Sequence, residues 1–251
     1  MASSRKSPPD LASAFERIEQ ARAETNRPLA VILAGHNGSG KSTLWYEHLA
    51  DSLKIPLINA DRMMLSILPD ANKQALPQWA VQLRDENAAW MKVAQQGVQA
   101  FVGHAMTANV PFALETVFSH WQPRGDGTFE SKIDQIQQLQ MAGYFVILVF
   151  VGLANDQLSI ARVLTRVASG GHNVQLGKLT TRFPRTQTAI AAAAGVADAC
   201  ILTDNSLNER EAFTVCRIQL GSIEVFDCRT GDQAVAKPIL EWMNIVSPIA
   251  A

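Results

Sequence analysis

Nine residues, Gly35-His36-Asn37-Gly38-Ser39-Gly40-Lys41-Ser42-Thr43, restrict this chain more than any other stretch. They have the form G-x-x-x-x-G-K-[ST]. They follow an apolar run over residues 29–34 and lead into a helix-like run over 42–53. A strand, a glycine-rich loop and a helix in that order form a cradle for phosphate. The glycines let the backbone turn tightly, so that main-chain N–H groups converge on an anion. The helix N-terminus brings partial positive charge to the same point. Gly35 through Thr43 are therefore expected to hold the phosphates of ATP, with Lys41 reaching the β- and γ-phosphates and the Ser42 hydroxyl on Mg2+.

Apolar runs at 29–34, 55–60, 110–114, 144–153 and 199–202 alternate with helical patterns. The central runs are continuously apolar, which argues for an α/β fold: a five-stranded parallel sheet covered on both faces. Helices are expected at 10–24 with Asp10 as N-cap, at 62–68, and at 78–109 with a possible break at Gly97 or Gly103. Others are expected at 130–142 stopped by Gly143, at 155–168 stopped by Gly170-Gly171, and at 177–194. Ser206 to Glu209 has the form of a capping box. Residues 213–220 and 223–228 read as a hairpin about Gly221-Ser222, and 238–245 as a last helix. The chain thus divides into a tail and helix over 1–28, a core over 29–212 and a small C-terminal extension over 213–251.

With 47% hydrophobic and 18% charged residues among 251, a sizeable core is expected. A net charge of −1 gives no global attraction to nucleic acid or membrane. Three cysteines, Cys200, Cys216 and Cys228, show no metal spacing and read as thiols in a reducing compartment. The first ten residues lack the apolar segment of a secretory signal, and no run is long enough to span a membrane. A cytoplasmic protein is expected.

Ligands of such sheets bind beyond the C-terminal strand ends. Asp61, Glu115 and Asp204 lie at such ends, as the glycine loop does, and are expected to face one crevice. Asp61 has three open roles: a base that takes the proton of an attacking hydroxyl, a contact to Mg2+, or a cap for the following helix. Glu115 is expected to bind substrate hydroxyls or to cap a turn. Thr116, Ser119 and His120 are candidates for a polar wall.

From Gln157 to Ala197 there is no Asp or Glu, while Arg162, Arg166, Lys178, Arg182, Arg185 and His172 fall inside the stretch. Arg162 and Arg166 share a helix face, and Arg182 and Arg185 share another. Two such helices over the phosphate loop, at about 155–195, would form an arginine-bearing lid that hinges at Gly170-Gly171 and stabilises charge on a transferring phosphoryl group. The alternative is a solvated basic face or an RNA-binding patch.

The loop at 35–43, Asn59-Ala60-Asp61, Leu114-Glu115-Thr116 with Ser119, the Arg162-to-Val174 segment with its Gly170-Gly171-His172, and Asp204-Asn205-Ser206 occur here in a shared order. In these features residues 29–210 resemble the zeta-toxin-like P-loop kinases. The resemblance implies an ATP- and Mg2+-dependent kinase acting on a sugar hydroxyl, with UDP-N-acetylglucosamine the acceptor in the best-known members. In the best-known members the product poisons cell-wall synthesis; a toxin and a metabolic enzyme are both compatible with the resemblance, and a cognate antitoxin would be a separate chain. It assigns Asp61 as general base, Lys41 to phosphate, Glu115 to substrate, and Arg166 with Arg182 or Arg185 to the lid. The chain departs from many relatives at His36 and Gln175, where they carry Pro, and at Thr181-Arg182-Phe183, where they carry Arg-Arg-Tyr.

Other acceptors, such as a dinucleotide ribose, are compatible with this pattern. So is a P-loop ATPase that regulates a protein partner, although Phe150-Val151-Gly152-Leu153 lacks the strand-end Asp it would use. A nucleic-acid kinase would need a basic groove.

Overall fold

Asp10 opens the first helix, α1 (Leu11–Ala23), its carboxylate accepting from the Ser13 N–H at 2.8 Å. Strand β1 (Leu29–Gly35) follows and is buried at every position. The computed structural model describes residues 9–69, 76–171, 173–231 and 234–249. Beyond the glycine loop come α2 (Lys41–Leu44), a π-helical turn (Trp45–Leu49) and α3 (Ala50–Leu53). Then β2 (Leu57–Ile58), α4 (Ala60–Ser66), α5 (Gln78–Glu86), α6 (Ala88–Ala108) and β3 (Phe112–Thr116) follow. A small hairpin, β4 (Trp121–Pro123) and β5 (Phe129–Ser131), precedes α7 (Ile133–Met141), β6 (Phe145–Gly152), α8 (Asp156–Ala168) and α9 (Leu176–Ala194). The chain closes with β7 (Ala199–Asp204), β8 (Thr214–Leu220), β9 (Ile223–Asp227) and α10 (Lys237–Val246).

The main sheet has seven strands in the order β2-β3-β1-β6-β7-β8-β9. Its first five are parallel, as expected. The C-terminal hairpin pairs antiparallel onto β7 and widens that sheet, so it covers an edge that would otherwise be open. β1 sits between β3 and β6, where connections depart to opposite sides, and this switch point puts the crevice at the end of β1. Two apolar clusters hold the faces. One, with Phe112, Phe150, Ile190 and Trp242, lies beneath α6, α7, α9 and α10. The other, with Phe15, Ile18, Leu44, Trp45 and Val149, lies beneath α1 and the helices after the glycine loop.

Several local expectations are corrected. The helix expected over 78–109 breaks at Asn87, not at Gly97 or Gly103: Asn87 is extended (φ −89°, ψ 96°) and caps α6 by accepting from the Trp90 N–H at 2.9 Å. Glu130 lies in β5, and the helix expected from 130 starts at Ile133. Ser206 is no helix cap, because its hydroxyl donates to Asp204 at 2.7 Å; Asn208 caps the short turn Glu209–Glu211 instead. The expected frayed tail before Pro9 and His172 lie outside the described residues.

Candidate active site

The glycine loop is braced from three sides. Gly40 has φ +92°, and a Cβ there would lie 2.6 Å from Asn205 Nδ2 and 3.3 Å from the Phe213 ring, so only glycine fits. Asn205 donates to the Ser39 carbonyl at 2.9 Å, and Ser159 of α8 donates to the Asn37 carbonyl at 2.7 Å. Lys41 is buried, its ammonium donating to the carbonyls of Gly35 (3.1 Å) and His36 (2.9 Å). Burial pushes its pKa down. The carboxylates of Glu115 and Asp61 oppose that shift, and the charge of Arg166 adds to it. These four groups thus meet electrostatically at the loop. Ser39 Oγ is buried with no hydrogen-bond partner among the described residues, a polar atom free for an anion's contacts.

His36 is a second orphan. It is 2% exposed, neither ring nitrogen has a partner among the described residues, and burial, with the Lys41 charge, pushes its pKa down to about 3. Its ring stacks on Phe183 of α9 and meets Phe150 edge-on.

The carboxylates occupy neighbouring strand ends. Glu115 accepts from the Ser42 hydroxyl at 3.0 and 3.2 Å and from the Asn59 amide at 2.7 Å. Asp61 is exposed on the first turn of α4 and makes no hydrogen bond among the described residues. It is not the helix cap. Asn59 is, accepting from the Arg62 N–H at 3.1 Å. Asp204, expected in the crevice, is fully buried: its carboxylate accepts from Trp242 Nε1 at 2.9 Å and from both groups of Ser206, and ties α10 to the sheet. Thr116 Oγ1 accepts from the Phe118 N–H at 3.3 Å and shapes a turn in which Phe118 has φ +63°. Ser119 is half-buried beside it. His120 pairs with Glu130 across the small hairpin at 3.0 Å, away from a free polar wall.

Helices α8 and α9 carry the arginines. α8 ends in paired reverse bonds, the Gly170 N–H to the Val167 carbonyl and the Gly171 N–H to the Arg166 carbonyl, each 2.9 Å, with Gly170 at φ +84°. Gly171 lies against the Arg166 side chain; a Cβ there would come 2.5 Å from Arg166 Cγ. Arg84 and Asp85, at the end of α5, hold this turn. Arg84 is bonded to Asp85 at 2.7 and 2.8 Å and donates to the Gly170 carbonyl at 3.0 Å, while Asp85 accepts from the Asn173 N–H at 3.2 Å. On α9, Arg182 is half-buried and Arg185 exposed, and neither makes a hydrogen bond or ion pair among the described residues.

The family profile described as Zeta toxin matches residues 12–206, well over half of the chain. The chain belongs to the zeta toxin family. It is an ATP-dependent kinase by that membership. An uncharacterized protein of Haemophilus influenzae is 25% identical over 143 residues, or 57% of this chain and 84% of that protein. The PezAT toxin-antitoxin structure of Streptococcus pneumoniae matches with a TM-score of 0.52 at 11% identity, over 94% of this chain and 88% of that one. The AvrRxo1-ORF1:-ORF2 complex matches with a TM-score of 0.59 at 15% identity, over 94% and 72% of the two chains. At such identities the likeness is one of fold: the parallel sheet with flanking helices.

Sequence reasoning assigned no role to five members of this zeta-toxin site. Asn59, Ser159 and Asn205 are neutral polar residues whose partners lie 56, 122 and 166 residues away, and no local pattern marks such pairs. Arg84-Asp85 reads as an ordinary surface dipeptide on a helix. An Asn directly before a helix did carry a capping signal for Asn59.

Proposed function

We propose that the protein transfers the γ-phosphoryl group of ATP to a sugar hydroxyl of a nucleotide sugar, UDP-N-acetylglucosamine foremost, with Mg2+. The observation that carries this reading is the carboxylate pair acting on Lys41: Glu115, bonded to the phosphate-loop hydroxyl and to Asn59, and Asp61, two residues after Asn59, solvent-facing and free of a capping duty. Asp61 is the base. Its oxygens can take the proton as the acceptor hydroxyl attacks phosphorus, and Lys41 lies within its field. Lys41, released from the loop carbonyls, neutralises charge on the phosphates. The donor set suits Mg2+, a hard cation that prefers oxygen: the Ser42 hydroxyl would hold it, with the Glu115 carboxylate adjacent. When bound it supplies charge neutralisation across the β- and γ-phosphates. Glu115 has acceptor sites left for a substrate hydroxyl. Arg166 and one of Arg182 and Arg185 close over the transferring group, where negative charge must be stabilised.

A separate antitoxin protein is the proposed macromolecular partner. The fold shared with PezAT, described as a toxin-antitoxin system, supports it, and a cytoplasmic site of action accords with soluble nucleotide substrates.

Labelled ATP with a panel of UDP-sugars, NAD and nucleosides tests the reading. A phosphorylated UDP-N-acetylglucosamine is expected, abolished by Lys41→Ala. Asp61→Asn should lower turnover by about 10²–10⁴-fold, the range for loss of a general base, with ATP affinity unchanged. Transfer to NAD alone would move the acceptor to a dinucleotide ribose. Undiminished turnover of Asp61→Asn would remove the base.

A further inference from the structure

Cys216 and Cys228 each lie one residue beyond the last paired rung at the open end of the C-terminal hairpin. Ile218 pairs with Phe226 and Arg217 with Asp227, the last rung of the hairpin; Cys216 precedes Arg217, and Cys228 follows Asp227 to open a 3-10 turn (Cys228–Thr230). On its other side β8 carries one residue more than β7: Leu202 pairs with Arg217 and Thr203 with Val215, leaving Cys216 bulged between them. A bulge frees a residue from the ladder and re-aims its side chain. Cys216 joins the apolar cluster on which Cys228 also packs, and its thiol donates to the Thr214 carbonyl at 3.5 Å with the Cys228 thiol close by. Each cysteine is one residue from the closed Arg217–Asp227 rung, so a small turn of the chain suffices to bring the Cβ atoms to the roughly 3.5–4.5 Å of a disulfide. Both are free thiols.

Their surroundings differ in a way that assigns an order. Cys216 is 1% exposed, whereas Cys228 is half-buried and reachable from solvent. The neighbouring Cys216 thiol holds Cys228 below its ordinary pKa; the Cys228 thiol and burial push Cys216 up. Cys200 is buried in the sheet, where burial pushes it up to about 12.

We propose that Cys228 and Cys216 form a thiol–disulfide exchange site whose co-substrate is a low-molecular-weight disulfide, with Cys228 the nucleophile and Cys216 the resolving thiol. The Cys228 thiolate attacks one sulfur of the small disulfide, forming a mixed disulfide and releasing one small thiolate. Cys216 then attacks Cys228 Sγ, its proton passing to the second departing thiolate. Two cysteine thiols are oxidised and one small disulfide is reduced to two thiols. The product staples β8 to the turn at Cys228–Thr230. This site is independent of the phosphotransfer reading.

The test treats the full chain with oxidised glutathione at neutral pH, quenches with acid and maps peptides by mass spectrometry. The expected product is a Cys216–Cys228 bridge, lighter by two hydrogen atoms, with Cys200 still a thiol. Cys216→Ser should stop at a glutathionyl adduct on Cys228, and Cys228→Ser should remain unmodified. Without any substitution, iodoacetamide should label Cys228 in the native chain at least about tenfold faster than Cys200. A lasting adduct on wild-type Cys228, a bridge through Cys200, no reaction at all, or equal labelling of Cys228 and Cys200 would each overturn the proposal.

Discussion

The imidazole of His36 lies face to face on the ring of Phe183, 3.8 Å between centroids and 11° between planes. One ring belongs to the phosphate loop and the other to the arginine-bearing helix α9. The stack therefore couples the position of the loop to that of the lid. It also leaves a buried imidazole without a hydrogen bond among the described residues, an arrangement that costs stability and costs far more once the ring takes a proton.

That cost gives the fold a dependence on pH. Above about pH 6.5 the imidazole is neutral in both the folded and the unfolded chain. Between there and the folded value of about 3, only the unfolded chain takes up the proton, so stability falls as pH falls. At pH 5 the loss relative to pH 8 should be about 2 kcal/mol from this residue. Urea denaturation of wild type and His36→Phe at the two pH values measures it. The variant should show a smaller acid loss by that amount, and equal losses would mean that His36 is solvated or paired.

The parallel sheet was legible because fully buried strands leave continuous apolar runs; 144–153 foretold β6 within two residues at either end. The glycine loop was legible because its chemistry is local. Asp204 was misread: a strand-end carboxylate looks alike whether it meets a ligand or an indole 38 residues away. The break at Asn87 was missed because glycine was expected to mark it, whereas an Asn cap ended one helix and began the next. The β4–β5 hairpin was missed because strands of three residues carry too little alternation to read. The Arg84–Asp85 hold on the lid turn depends on pairing across more than eighty residues, which one sequence does not reveal.

Gly171 should be intolerant of a side chain. An alanine Cβ would lie 2.5 Å from Arg166 Cγ and 2.9 Å from the Arg166 carbonyl, which the Gly171 N–H itself occupies. The arginine must then leave its place. Gly171→Ala is expected to lower kcat by roughly 10–100-fold, as small displacements in a phosphotransfer site do. Gly103→Ala, in open space on α6, is the control: unchanged kcat and a gain of about 0.5–1 kcal/mol. Equal kcat values in the two variants would show that Arg166 does not depend on this turn.

The α5 clamp can be separated from mere stability. Arg84→Ala removes the guanidinium paired with the mostly buried Asp85 carboxylate and should cost about 3–5 kcal/mol. The double change Arg84→Leu with Asp85→Leu should recover most of that stability, because both buried charges are then replaced by apolar side chains. It should not recover kcat, since the Gly170 carbonyl and the Asn173 N–H have still lost their contacts. Denaturation midpoints and steady-state kinetics on the same preparations decide the matter. Recovery of both quantities together would reduce the clamp to a packing element.

The arginines should be unequal. Arg166 lies in the field of Lys41, with Gly171 packed closely against its side chain. Negative charge on the transferring oxygens must be stabilised most in the transition state, so its loss should fall on kcat more than on ATP affinity. Arg166→Ala is expected to lower kcat by about 10²–10³-fold, comparable to removing one preorganised donor. Arg182 is half-buried beside Phe183, and Arg185 is exposed. Arg182→Ala should therefore resemble Arg166→Ala, and Arg185→Ala should approach wild type. Arg166→Lys should recover little, because an ammonium cannot offer two parallel donors to one phosphoryl group. Rate measurements at saturating ATP, with proteolysis of the 160–190 segment in the presence and absence of ATP, Mg2+ and acceptor, test the series. Near-wild-type rates for all three alanine variants, with no protection by substrates, would make this stretch a solvated basic surface.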